Sequence, residues 1–415
     1  MKKLLCVLVL LTFAQQWPSI AHAQKKIVDL RPTVILISLD GFRYDYVDKY
    51  KPATIGRLAR QGVRAKWMIP SFPTKTFPNH YTIVTGLYPA HHGIVENNVY
   101  DFGEIFKMDD RKQVEDSRWW GGEPIWATAQ KQGQIAGTYF FVGSEAKIAD
   151  EYPAFWRTYN GDVPQEMRID KALGWLDLPA AKRPTLIAMY FSDTDDVGHE
   201  FGPDAEETGY AVQNADRYIK RLTDGLARRG IADRVNIIIV SDHGMAARDQ
   251  RNAVVMDEYF DTTDKTVADP ILTTGEIWQI FPKPGKEDFI MDRLKPIKNA
   301  TCWRKADIPA RFHYNGPRVA PIICTSNEGW SMTSRKRFED TKKSADFRQT
   351  RGSHGYDNRY QSMQATFIAH GPAFKSGYLA EPFENVHLYE LMCKILGLKP
   401  AKNSGNLEVV RGMLR

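Results

Sequence analysis

Three apolar runs in this chain end in acidic residues, and strand ends are where open α/β sheets gather their ligands. Val34–Leu39 runs into Asp40-Gly41, and Asn236–Ser241 runs into Asp242-His243-Gly244-Met245. Thr185–Phe191 leads into Ser192-Asp193-Thr194-Asp195-Asp196-Val197-Gly198-His199. A further imidazole, His354, sits in the glycine-flanked segment Gly352-Ser353-His354-Gly355. Taken singly, an Asp after a strand is an ordinary helix cap and a loop His an ordinary surface residue. Together, carboxylate oxygens and imidazole nitrogens brought to one sheet edge would hold a divalent cation, with zinc the natural match and other metals possible.

A second element supplies a nucleophile. In Phe72-Pro73-Thr74-Lys75-Thr76-Phe77-Pro78-Asn79, the hydroxyl of Thr76 precedes the amphipathic stretch Tyr81–Leu87 and so falls near a helix start. Free backbone N–H groups there favour phosphate. Read alone, Thr76 is equally a helix cap. Beside a metal, its hydroxyl can lose a proton near neutral pH and attack.

Short β-branched runs alternate with helical patterns, which predicts an α/β fold with a mostly parallel sheet covered by helices. Val34–Leu39, Thr185–Phe191, Asn236–Val240 and Gln364–Ala369 are the expected strands, apolar throughout as befits strands buried on both faces. Val212, Ala215, Ile219, Leu222 and Leu226 recur at helical spacing before a stop at Gly230. Residues 257–345 mix short strands, prolines and charges and read as a small inserted subdomain; 24–403 form the catalytic domain, and 404–415 a polar tail without a readable signal. Across 415 residues the formal charge is +6 with both signs scattered, so no dedicated nucleic-acid groove is expected. No protein partner is evident.

Lys2 and Lys3, the apolar run Leu4–Phe13 and Ala21-His22-Ala23 have the pattern of a signal peptide over residues 1–23, with cleavage after Ala23. The apolar run is too short for a stop-transfer helix, no other segment spans a bilayer, and the expected location is a periplasm or the medium. In such an oxidising compartment Cys302 and Cys324 could pair. Cys393 lies in the apolar, helix-like stretch Leu388–Leu398 and is expected to be a buried free thiol.

The motifs ISLDGFR, PTKTFPNHYTIVTGLYPAHHGIVENN, DVGHEFGPD, NIIIVSDHGM and GSHGYDN, in this order over Val34–Pro372, resemble those of the nucleotide pyrophosphatase/phosphodiesterase family of the alkaline phosphatase superfamily. The chain resembles a bacterial member consisting of the catalytic domain alone. The resemblance implies an alkaline-phosphatase-like three-layer α/β/α sandwich and two zinc ions. Asp40, Thr76, Asp242 and His243 would hold one zinc; Asp195, His199 and His354 would hold the other. It further implies that Thr76 attacks phosphorus in line, that a phospho-threonine is then hydrolysed, and that the Asn97 side-chain amide donates to a phosphoryl oxygen. The substrates implied are nucleotide diesters and diphosphates, and the products nucleoside 5′-monophosphates. Phe77, Tyr159 and Tyr190 occupy positions at which relatives stack a base, a contact tolerant of base identity.

The chain departs from the family pattern at Ser192-Asp193-Thr194, where an acidic pair and proline are usual, and at Phe141-Val142, where an aromatic–proline pair is usual. Two other readings use the same metal centre: a phosphate monoesterase, and a phosphodiesterase acting on lipid or choline head groups. The positive Lys-x-Arg pair with which monoesterase relatives hold extra phosphate charge is not found after Asn97, which favours diesters.

Overall fold

A computed structural model describes residues 26–415; the expected leader, residues 1–23, lies outside them. The central sheet has seven strands: β1 (Thr33–Leu39), β2 (Val63–Ala65), β3 (Ala136–Tyr139), β4 (Leu186–Phe191), β5 (Val235–Val240), β6 (Phe367–His370) and β7 (Tyr378–Ala380). Their spatial order is β7-β2-β6-β5-β1-β4-β3. β1 pairs in parallel with β4 and β5, and β3–β4 and β2–β7 are also parallel. Only β6 runs against its neighbours β2 and β5. The expected strand from Gln364 begins three residues later, because Ala365 instead bridges to Arg43 and Met68.

Side chains along a strand alternate between faces, and here both faces are dry. Val34, Leu36, Leu186, Ala188, Ile238 and Val240 enter one apolar cluster. Ile35, Ile37, Leu39, Ile187, Met189 and Ile239 enter another on the opposite face. The first cluster is covered by helix α1 (Thr76–Thr85) and by Leu388–Leu396, the second by α3 (Glu206–Arg228), giving three layers. The periodic positions Val212, Ala215, Ile219, Leu222 and Leu226 are all buried, and Gly230 turns the chain after α3 at φ +68°. Among the described residues no helix is long and apolar enough to cross a membrane.

Within the stretch read as an insertion, Ala268–Thr273, Ile277–Pro282, Ile322–Ser326 and Ala300–Arg304 form a four-stranded antiparallel sheet in that spatial order. It has its own small core around Trp278, Ile280, Ile290 and Ile322. Cys302 and Cys324 are register partners across two of its strands and form a disulfide; Cys393 is buried and free. Beyond Lys399, where no periodicity is readable, the short helix Leu407–Val410 folds back and buries Val410 and Met413 in the first cluster.

Candidate active site

Register decides which side chains meet. Ser38 of β1 lies level with Tyr190 of β4 and Val240 of β5, so the three strands end together and release their acids onto one edge. Asp40 leaves β1 through Gly41, whose φ of +64° disfavours other residues and whose hydrogen side faces Asp195; a Cβ there would lie 2.9 Å from Asp195 Oδ1. After β4 the chain enters helix α2 (Asp193–Phe201), and the four-residue spacing places Asp195 and His199 on one face of it. His354 follows the strand Thr350–Ser353, where Gly352 lies against α2 so closely that a Cβ would come within 2.2 Å of the Gly198 carbonyl.

Asp40, Asp195, Asp242, His243, His199 and His354 thus converge. His243 Nε2 is 3.0 Å from Asp242 Oδ2 and 3.4 Å from Asp40 Oδ1. His199 Nε2 is 3.4 Å from Asp195 Oδ2, and His354 Nε2 is 3.7 Å from Asp195 Oδ1. The His243 and His354 rings stack at 3.5 Å. The hydrogen bonds of the distal nitrogens settle the tautomers: Nδ1 of His199, His243 and His354 donates to the carbonyls of Gly352, Gly244 and Thr74, at 3.0, 2.9 and 2.8 Å. In the neutral rings each Nε2 is then the lone-pair nitrogen and faces the cluster, the arrangement that backbone carbonyls impose on metal-binding histidines. Burial resists charge on His243, but the Asp242 carboxylate outweighs it and favours its protonated form.

The cluster fits a divalent cation on its own terms. Asp40 Oδ1, Asp195 Oδ1 and Asp242 Oδ2 are buried without a hydrogen-bond partner among the described residues, an expensive state for carboxylates lacking a counter-charge. Nε2 of His199 and His354 stand 3.1 Å apart. Burial, and then the carboxylates of Asp242 and Asp195, push Asp40 well above the usual carboxylate range. Burial resists charge on Asp242 too, but His243 and His80 outweigh it and hold this acid well below that range. Burial, with the neighbouring His243, Lys75 and His199, lowers His354 and keeps it a neutral donor. The groups that approach one another closely enough to share an ion are Asp195/His199/His354, Asp40/Asp195/His243 and Asp40/His80/Asp242.

Thr76 is the first residue of α1, and the N-cap is Lys75, so the hydroxyl caps nothing. It points instead at His243 Nε2, 3.4 Å away. Asn97 accepts from the Phe77 N–H at 3.0 Å through Oδ1, which leaves its Nδ2 as the outward end. Thr76 stands where two cavities meet. One, of about 370 Å³, is lined by Phe77, Tyr159 and Tyr190; the other, of about 690 Å³, extends toward the inserted sheet and also contains His199 and His354. Tyr159 and Tyr190 meet edge to face at 6.3 Å. Tyr190 has a second task not foreseen from its sequence position, since its hydroxyl donates to Asp40 Oδ2 at 2.6 Å.

Two other participants were not anticipated. His80, fully buried one turn after Thr76, engages Ser38 Oγ at 2.8 Å and the Thr76 carbonyl at 2.9 Å, and its Nδ1 lies 3.3 Å from Asp242. Both ring nitrogens are occupied, so it braces the nucleophile helix against Asp242. The four-residue spacing from Thr76 was the available signal. Glu276, in the turn between the strands Ala268–Thr273 and Ile277–Pro282 of the inserted sheet, pairs with Lys75 at 2.8 Å and accepts from Ser353 Oγ at 2.5 Å. No local pattern marks it.

The chain matches the family model described as type I phosphodiesterase / nucleotide pyrophosphatase over residues 34–357. It is 40% identical over 386 residues to a venom phosphodiesterase of Macrovipera lebetinus, an alignment covering 90% of this chain and 44% of the relative. It is 36% identical over 384 residues to ectonucleotide pyrophosphatase/phosphodiesterase family member 3 of Bos taurus, covering 90% and 43%. The chain therefore spans less than half the length of these relatives. Among solved structures, murine ectonucleotide pyrophosphatase / phosphodiesterase 5 superposes with a TM-score of 0.85 at 33% identity, covering 92% of this chain and all of that one. An inactive threonine-to-alanine form of the same murine protein, in complex with AMP, is similar to the same degree.

Proposed function

The chain belongs to the type I phosphodiesterase / nucleotide pyrophosphatase family, and from that premise we propose that it hydrolyses nucleotide phosphodiesters and diphosphates to nucleoside 5′-monophosphates, with Thr76 as the nucleophile. The observation that carries the reading is the Thr76 hydroxyl. It sits at the first position of α1, caps nothing, and faces the carboxylate–imidazole cluster 3.4 Å from His243. The murine relative inactivated by loss of a threonine and holding AMP supports the same assignment.

Asp40, Thr76, Asp242 and His243 would hold one zinc ion, and Asp195, His199 and His354 a second. When bound, such a pair lowers the proton affinity of nearby oxygen nucleophiles and neutralises charge on the phosphoryl group. The protein's own groups do the rest. His80 fixes the Thr76 carbonyl at the start of α1. Asn97, anchored through Oδ1, offers Nδ2 to a phosphoryl oxygen. Thr76 Oγ1 gives up its proton to solvent and bonds to phosphorus, and the bond to the leaving oxygen breaks with its electron pair, an alcohol leaving oxygen then taking up a proton. Water then cleaves the Oγ1–phosphorus bond, releasing the monophosphate and restoring the hydroxyl. Phe77, Tyr159 and Tyr190 line the cavity that would take the base by stacking.

We also place the chain outside the cytoplasm: the leader pattern of residues 1–23 and the Cys302–Cys324 disulfide both suit an oxidising compartment. The deciding experiment compares the nitrophenyl ester of thymidine monophosphate with nitrophenyl phosphate on protein of measured metal content. Strong preference for the diester is expected. Preference for the monoester would move the chain to the phosphatase branch.

A further inference from the structure

The larger cavity beside Thr76 has an unusual far wall. The strands Ala246–Asp249 and Thr350–Ser353 form an antiparallel ribbon in which Arg248 and Arg351 are register partners. Like charges directly opposite on a ribbon repel, yet both residues line this cleft. Arg337, from helix α4 (Arg335–Lys343), lines it from the other side. Among the described residues, neither Arg248 nor Arg337 has a carboxylate within salt-bridge distance, and Arg248 Nε is buried without a hydrogen-bond partner. Arg351 donates to the Asp346 carbonyl at 2.8 Å. The acids on the same cleft are otherwise engaged or lie toward the catalytic cluster: Glu276 is paired with Lys75, with Arg248 near enough to act on it but outside salt-bridge distance, Asp195 belongs to the cluster, and Asp109 and Asp196 also border the aromatic cavity.

Because Thr76 borders both cavities, a substrate whose base lies among the aromatic rings directs the group beyond the scissile bond into this arginine-lined cleft. We propose that Arg248, together with Arg351 and Arg337, forms the subsite for a phosphate-bearing leaving group. Guanidinium groups bind phosphate through paired N–H donors, and an anion between two opposed arginines removes their repulsion. Resting on the phosphodiesterase reading above, the assignment narrows the substrate class. The chain should prefer nucleotides that release diphosphate or a phosphorylated group over diesters that release an uncharged alcohol.

The test compares wild type with Arg248→Met and Arg248→Lys at equal metal content, using a nucleoside triphosphate and the nitrophenyl ester of the same nucleotide. A charge-assisted contact of this kind corresponds to about 10- to 100-fold. The ratio of kcat/KM for triphosphate over nitrophenyl ester should fall by about that factor in Arg248→Met and less in Arg248→Lys. The ratio is independent of the fraction of folded enzyme. An unchanged ratio overturns the proposal. Calorimetric binding of inorganic pyrophosphate to the same proteins separates the two readings. If wild type hydrolyses neither substrate, the phosphodiesterase reading fails, while weaker pyrophosphate binding by Arg248→Met upholds the anion subsite. Equal pyrophosphate binding by both proteins overturns it.

Discussion

Replacing Glu276 by Gln should cost stability and activity together, because one buried ion pair ties the inserted sheet to the nucleophile segment. The Lys75 and Glu276 side chains are 5% and 3% exposed, and Nζ to Oε2 is 2.8 Å. Lys75 also donates to the His354 carbonyl at 2.8 Å, and Glu276 accepts from Ser353, so three distant segments meet at this pair. The variant keeps the shape of Glu276 but leaves the Lys75 ammonium buried without its counter-charge, a loss of about 3–5 kcal/mol. With an unfolding entropy of about 2.1 cal/mol/K per residue over 415 residues, the melting temperature should fall by about 3–6 °C. Burial works against charge on Glu276, but Lys75, Arg248 and the hydrogen bonds from Lys75 and Ser353 outweigh it and lower its pKa below 4.5. The stabilisation is therefore complete above the unfolded value and is lost as pH falls through the lower folded one. The gap between wild type and variant should hold from pH 7 to pH 5 and close below about 4.5. Calorimetric scans across this range provide the assay. A shift under 1 °C at pH 7, or a gap that widens in acid, would refute the desolvated-pair account. Lys75→Met combined with Glu276→Leu should recover most of the lost stability, since apolar replacement of such pairs is close to neutral.

Other expectations concern the chemistry. Thr76→Ala should reduce turnover to background while the melting temperature and bound metal remain; normal activity would remove Thr76 as nucleophile. Chelation should inactivate the protein, with zinc restoring activity better than magnesium, and equal turnover before and after chelation would exclude a metal-dependent reaction. Tyr159→Ala should cost nucleotide substrates about 5- to 100-fold, from stacking of about 1–3 kcal/mol, and spare small aryl phosphonate esters; equal losses would take Tyr159 out of base binding. Tyr190→Phe keeps the ring but removes the donor to Asp40, so metal affinity should drop about 10- to 100-fold, read as the chelator concentration needed for half-inactivation.

The acids at the ends of β1, β4 and β5 were legible in the sequence because a buried parallel strand is a continuous apolar run, and the next residues must emerge at the sheet edge. The four-residue step from Asp195 to His199 was legible for a similar local reason, as one helical turn. The pairing of Cys302 with Cys324 was open in the sequence and is decided by the register of two strands of the inserted sheet. The features that escaped were set by tertiary contact. Glu276 is 201 residues from Lys75, and nothing around it distinguishes it from a surface acid. The Tyr190 hydroxyl reaches Asp40 only because β1 and β4 are adjacent and in register. The terminal segment lacked a period because it packs through Val410 and Met413, with Leu407 and Leu414 partly buried beside them, across two short helical turns rather than on one full helical face.

The order in which the cluster's members occur along the chain governs how it is assembled. Asp40, Thr76, Asp242 and His243 have all left the ribosome once residue 243 has, whereas His354 is still 111 positions away (354 − 243). A chain made amino end first therefore holds every member of one half of the cluster well before the last member of the other. The other half is complete only when the ribbon that carries His354 docks on α2. The same late segment carries β6, the strand that joins β2 to β5, so the last ligand and the closure of the sheet arrive together.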